Sequence, residues 1–149
     1  MAGELVAVVV VVAHGHEHAA SIPLLSSAGM KVRLVHEFRF EAAHWLPNVP
    51  DEHKCRRMHG HSYRIELSVF GEVDPLTGWL VDFADLEGAW RPLYERLDHR
   101  TLNDLTGLEN PTSEVLAHWL WQQLRPRLPQ LERVTVWETA AARCEYEGA

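Results

Sequence analysis

An α+β domain is the fold class that this chain predicts, on three observations. Two stretches, Val32–Ala42 and His61–Gly71, alternate apolar and polar residues with the period of half-buried strands. Two later stretches, from Phe83 to Leu97 and through Leu116 and Leu124, repeat their apolar residues at helical spacing. The chain then returns to strand-like text at Val134–Thr139 and Arg143–Tyr146. The order β-β-α-α-β-β predicts an antiparallel four-stranded sheet with two helices on one face.

In the first strand Val32, Leu34, His36, Phe38 and Phe40 form one face, and Arg33, Val35, Glu37, Arg39 and Glu41 form a mostly polar one. His44 ends this segment. Pro47, Asn48, Pro50 and Asp51 mark Trp45–Met58 as an irregular loop, and long loops in compact domains are often functional. The second strand opens on His59-Gly60-His61. Asp74 to Gly78 reads as a turn, and Asp82 as the N-cap of the first helix. Pro92 inside that helix is expected to kink or break it. Asn110-Pro111-Thr112-Ser113-Glu114 is a helix-start signal, and the second helix is expected to stop near Pro126 or Pro129.

The length of 149 residues fits one domain, with residues 31–149 as the folded unit and residues 1–30 as an N-terminal extension. Leu5 to Ala13 in that extension is apolar but far short of the roughly 20 residues a bilayer span needs. It has no basic region ahead of it, which weakens a secretory reading. His14-Gly15-His16-Glu17-His18 repeats the His-Gly-His text without a strand behind it, and Met30 is a candidate start of translation. The formal charge of −7 and the absence of a long basic run argue against nucleic acid as a partner. Two cysteines, Cys55 and Cys144, are too few for a disulfide framework and suit a reduced cytoplasmic protein.

The chemistry concentrates around Cys55-Arg56-Arg57-Met58-His59-Gly60-His61. Two imidazoles two residues apart on a strand point to the same side. If the first two strands pair antiparallel, His44 at the end of one lies beside His59 at the start of the other. Three histidines then converge, the donor set of a catalytic zinc with an open fourth position. A thiolate at Cys55 could close that position as a structural staple. By default a free cysteine is simply a buried structural thiol; against that, the neighbouring Lys54, Arg56 and Arg57 favour a thiolate that serves as a base or nucleophile. Asp98-His99 reads either as a helix end or as a carboxylate orienting an imidazole. Glu138, between apolar strand residues, is either edge-exposed or a carboxylate on a pocket wall. Thr112 and Ser113 most simply cap the second helix.

These residues together also resemble a known family. Phe40-Glu41-Ala42-Ala43-His44, Cys55-x-x-x-His59-Gly60-His61-Ser62-Tyr63, Gly78-Trp79-Leu80-Val81-Asp82-Phe83, Leu97-Asp98-His99, Leu102-Asn103, Asn110-Pro111-Thr112-Ser113-Glu114 and Glu138-Thr139 resemble the 6-pyruvoyl-tetrahydropterin synthase family, in its queuosine-pathway, carboxy-tetrahydropterin branch. The resemblance covers about Lys31 to Gly148. It implies the tunnelling fold, in which subunits join their sheets into a barrel and active sites form at interfaces of a hexamer. It implies Zn²⁺ held by His44, His59 and His61, with Cys55 as the proton-abstracting thiolate. It implies Asp98 and His99 as a proton relay, Glu138 as the pterin anchor, and Thr112 and Ser113 as pocket lining. The implied substrate is 7,8-dihydroneopterin triphosphate, converted to 6-carboxy-5,6,7,8-tetrahydropterin with release of acetaldehyde and triphosphate. The sister activity, elimination to 6-pyruvoyl-tetrahydropterin, and a non-enzymatic zinc-stapled protein are the alternatives. Trp45 departs from the pattern, which often carries Arg after the first ligand histidine. Lys54 and Arg56 are the candidates for the triphosphate.

Overall fold

The computed structural model describes residues 29–148; the extension to residue 28, with its apolar run and its His14-Gly15-His16 text, lies outside them. The first two strands, β1 (Lys31–His44) and β2 (His59–Glu72), pair antiparallel over their whole length. Helix α1 (Phe83–Leu97) follows, then a two-residue strand β3 (Arg100–Thr101), helix α2 (Ser113–Leu124), β4 (Leu131–Thr139) and β5 (Ala142–Tyr146). The sheet order is β3-β1-β2-β4-β5.

Two expectations are corrected. The sheet has five strands and is mixed, because β3 runs parallel to the end of β1 through Ala42–Arg100 and Ala43–Thr101. Two residues carry no periodicity, so such a strand is invisible until the chain leaving α1 is seen folding back along β1. The first helix also runs on through Pro92, which corrects the expected break and leaves only a kink as the remaining expectation. Proline removes one N–H and crowds the carbonyl four residues back. Here that residue is Gly88, and both it and Pro92 are exposed, so water takes the freed carbonyl.

Alternation then decides which residues meet the helices. Phe40, Ala42 and His44 on β1, Tyr63, Ile65, Leu67 and Val69 on β2, and Val134 and Val136 on β4 are all buried on the helix side. Leu86, Trp90, Leu93 and Leu97 of α1 and Leu116, Trp119, Leu120 and Leu124 of α2 close the layer from above. Each such large side chain contributes about 1.5–3 kcal/mol by leaving water. Asp82 caps α1 by accepting from Ala84 N–H, and Thr112 caps α2 by accepting from Val115 N–H.

The opposite face stays wet. Arg64 and Arg143 stack on the Trp137 ring, with guanidinium carbons 4.0 and 4.7 Å from its centre, while the indole N–H donates to Glu66 at 3.0 Å. Among the described residues no helix is long and apolar enough to cross a membrane.

Candidate metal centre

The register of β1 and β2 builds the centre. His44 is the direct partner of His59, and Ala42 of His61. Directly opposed residues share a face, so all three imidazoles stand on the helix side at the end of the sheet. The ligand atoms of His44, His59 and His61 lie within 4.8 Å of one another. Gly60, between the two β2 histidines, sits where a Cβ would come to 3.3 Å from the Ala42 carbonyl oxygen, so a small residue suits the close strand approach.

Backbone carbonyls set the ring tautomers. His44 Nδ1 lies 2.9 Å from the Pro111 carbonyl oxygen, and His59 Nδ1 lies 2.8 Å from the Arg57 carbonyl oxygen. A carbonyl only accepts, so each Nδ1 carries the proton and donates it. The two Nε2 atoms, 3.0 Å apart, are then left with facing lone pairs. That arrangement is repulsive unless a cation or a shared proton lies between them. Burial, the main cause, holds the His44 pKa below its ordinary value, opposed by the Pro111 hydrogen bond, so the proton is disfavoured there. His61 Nε2 is buried without a hydrogen-bond partner. Its pKa is also lowered, first by burial and against the pull of Glu138. Three converging imidazoles, with His44 and His59 turning their Nε2 lone pairs toward each other and His61 Nε2 left without a partner, fit a divalent metal with nitrogen preference.

Glu138 completes the wall. It follows Val134 and Val136 on the inward face of β4, and its Oε1 lies 3.3 Å from His61 Nε2 without the alignment of a hydrogen bond. Its other oxygen accepts from the Ser113 hydroxyl at the start of α2. Thr112 is used as the N-cap, so its hydroxyl oxygen is directed to the helix backbone. Tyr63 lies below the triad with its hydroxyl 3.4 Å from His44 Nδ1, and burial together with Glu138 raises its pKa.

Cys55 sits half-buried in a short 3₁₀ turn, Lys54–Arg56. Leu46 N–H donates to the Cys55 carbonyl at 2.8 Å, one step beyond the His44–His59 pair. The Cys55 sulfur is outside the cluster of ligand atoms, and both cysteines are free thiols. Arg56 closes the loop, donating to the Pro47 and Val49 carbonyls and pairing with Asp51 at 3.1 Å.

Asp98 and His99 form a second site. Asp98 Oδ2 accepts from His99 Nδ1 at 2.7 Å, and Asp98 Oδ1 accepts from Glu41 N–H at 2.9 Å. The Glu41 N–H, then His99, hold the Asp98 carboxyl below its usual range. His99 takes a left-handed backbone, φ 55°, and its N–H donates to the Glu41 carbonyl. Its ring is 78% exposed. Among the described residues no hydrogen bond joins this pair to the triad.

The supports of the ligands escaped sequence reasoning. Pro111 reads as part of a helix start and Arg57 as a loop cation, and each acts here through its carbonyl, which no side-chain pattern reveals. Asn103 accepts from Trp45 N–H at 3.0 Å and donates to the Trp45 carbonyl at 2.8 Å, fixing the residue after His44. Trp45 thus keeps its place through its backbone.

Residues 33–149 match the family model described as 6-pyruvoyl tetrahydropterin synthase. A 6-carboxy-5,6,7,8-tetrahydropterin synthase of Synechocystis sp. is 43% identical over 116 residues, covering 74% of this chain and 88% of that protein. A dihydroneopterin monophosphate aldolase of Pyrococcus furiosus is 33% identical, covering 73% of this chain and 91% of the relative. Among solved structures, the 6-pyruvoyl tetrahydropterin synthase of Caenorhabditis elegans superposes with a TM-score of 0.76 at 28% identity, covering 81% of this chain and 98% of that one.

Proposed function

The chain belongs to the 6-pyruvoyl tetrahydropterin synthase family, and from that premise we propose that it converts 7,8-dihydroneopterin triphosphate and water to 6-carboxy-5,6,7,8-tetrahydropterin, acetaldehyde and triphosphate. The observation that carries the reading is the converging three-imidazole cluster with Glu138 on its rim. It is supported by the named relative at 43% identity.

His44, His59 and His61 would hold a zinc ion. When bound, zinc supplies Lewis-acid polarisation of the side-chain oxygens of the pterin substrate, which acidifies the adjacent C–H bonds. Cys55, whose loop is tied to Leu46 two residues after His44, would take the proton as the base. Glu138, with Ser113 donating to one oxygen, keeps acceptor capacity for the N–H groups of the pterin. Thr112 lines the pocket through its backbone while its hydroxyl caps α2. Asp98 orients His99, which returns a proton.

The exposed His99 ring works at an interface: among the described residues β1 is paired along its outer edge only at Ala42 and Ala43, which leaves the rest of that edge for a neighbouring copy. Sheets joined into an oligomeric barrel would cover both. Residues 31–149 act as the single catalytic domain, and the residues before them are dispensable.

The test is anaerobic incubation of the purified, zinc-loaded protein with 7,8-dihydroneopterin triphosphate. Acetaldehyde, triphosphate and 6-carboxy-5,6,7,8-tetrahydropterin should appear together. Accumulation of 6-pyruvoyl-tetrahydropterin without acetaldehyde would assign the sister elimination reaction, the activity in the name of the worm structure.

A further inference from the structure

The turn before the metal centre, His53-Lys54-Cys55-Arg56-Arg57-Met58, contains no acid in a chain of net charge −7. Its three cations differ in how they are used. The Arg56 guanidinium is spent on the loop itself, on two carbonyls and the Asp51 carboxylate. Among the described residues, Lys54 and Arg57 have neither a side-chain hydrogen bond nor a carboxylate within ion-pair distance. Arg57 is also tied to the centre by its backbone, since its carbonyl accepts from the His59 ring.

Direction follows from the main chain. Arg57 is extended, φ −85° and ψ 147°, and leads into β2. In an extended chain residues 57, 59 and 61 share one side. By the same alternation Met58, 55% exposed, falls on the other side. The Arg57 side chain therefore starts on the side of the His59 and His61 ligand atoms. The nearest inward acid, Glu138, is already engaged by Ser113 and faces His61.

We infer that Arg57, assisted by Lys54, receives the phosphate chain of the substrate beside the metal centre, and that Arg56 does not. This rests on the proposed reaction only for the identity of the anion. A guanidinium presents its donors as a fork that matches phosphate oxygens, and the adjacent Lys54 adds a point charge. A free guanidinium next to a divalent cation raises the local positive potential, which a polyanion relieves.

The probe is inorganic tripolyphosphate, titrated by calorimetry into the zinc-loaded full chain, with zinc content measured after each titration. Wild type should bind it saturably and retain zinc. Arg57→Gln should bind about tenfold or more weakly, with Arg57→Lys recovering part of the loss and both keeping wild-type zinc content. Equal binding by wild type and Arg57→Gln would overturn the inference. So would loss confined to Arg100→Gln, at the guanidinium next to His99. The two readings fail separately. Arg57-dependent tripolyphosphate binding without turnover of 7,8-dihydroneopterin triphosphate would remove the reaction and leave the anion site. Turnover with an unchanged KM in Arg57→Gln would remove the anion site and leave the reaction.

Discussion

The histidine triad and the Asp98–His99 pair are both anchored on β1 within a few residues, yet they are built in opposite ways. His44 is 1% exposed and its ring is held by a carbonyl from another segment, so the triad is finished by this one chain. His99 is held just as firmly at its backbone and at Nδ1, but its ring faces out. A metal's ligands must be preorganised, which packing within one fold supplies. A proton donor needs only a fixed tautomer and an approach path. If His99 is the proposed relay, a second surface arriving at this sheet edge would complete it.

The sharpest way to break this contrast is at the ligands. His59→Ala should lose both the bound metal and turnover, because two remaining imidazoles leave the cage open. Cys55→Ala should keep near-stoichiometric zinc and lose turnover by about 10²–10⁴-fold, the range of general-base catalysis. Metal analysis beside activity separates them. Equal zinc loss in both variants would make Cys55 a ligand and the centre a closed staple.

Asp98→Asn tests the outward site. It should leave zinc content intact and cut kcat by about 10²-fold or more, since the amide no longer favours the oriented imidazole. The Asp98 pKa is depressed in the folded chain, so its stabilising contribution is present above the unfolded carboxyl value and is lost as pH falls through the lower, folded one. A Tm-against-pH profile of Asp98→Asn should therefore be flatter on its acid limb than that of wild type. An identical acid limb would mean the clamp to Glu41 contributes nothing.

Glu138 and Ser113 carry the proposed pterin contact. Glu138→Gln should raise KM by about tenfold or more, because a carboxylate acceptor of two N–H donors becomes a mixed donor and acceptor. Ser113→Ala should raise KM only a few-fold, the cost of one positioning hydrogen bond. A larger effect from Ser113→Ala than from Glu138→Gln would reverse their roles. The smallest effect belongs to the N-terminus: a chain begun at Met30 should bind zinc, melt and turn over like the full chain.

Much of this was written in local pattern. Alternation in β1 and β2, with antiparallel pairing assumed, is enough to bring His44 beside His59, because side-chain direction has period two. The same logic puts Glu138 in phase with Val134 and Val136. The helices follow from apolar spacing, and their caps from Asp82 and Thr112, whose short oxygen side chains satisfy the first free N–H groups.

What required the folded chain is everything that depends on segments meeting at long range. Pro111 lies 67 residues from His44 and orients it through a carbonyl, a group every residue carries and no sequence distinguishes. The parallel β3 exists because His99 turns left-handed and its N–H meets the Glu41 carbonyl. Pro92 is tolerated because Gly88 beneath it faces water. Among the described residues, the partition of Lys54, Arg56 and Arg57 into free and engaged cations was decided by the path of the Trp45–Met58 loop, which brings Asp51 and two carbonyls to Arg56 alone. Residue type determined which atoms could do chemistry here. Tertiary contact decided which of them were already occupied, because a hydrogen bond to a distant backbone carbonyl leaves no trace in local spacing.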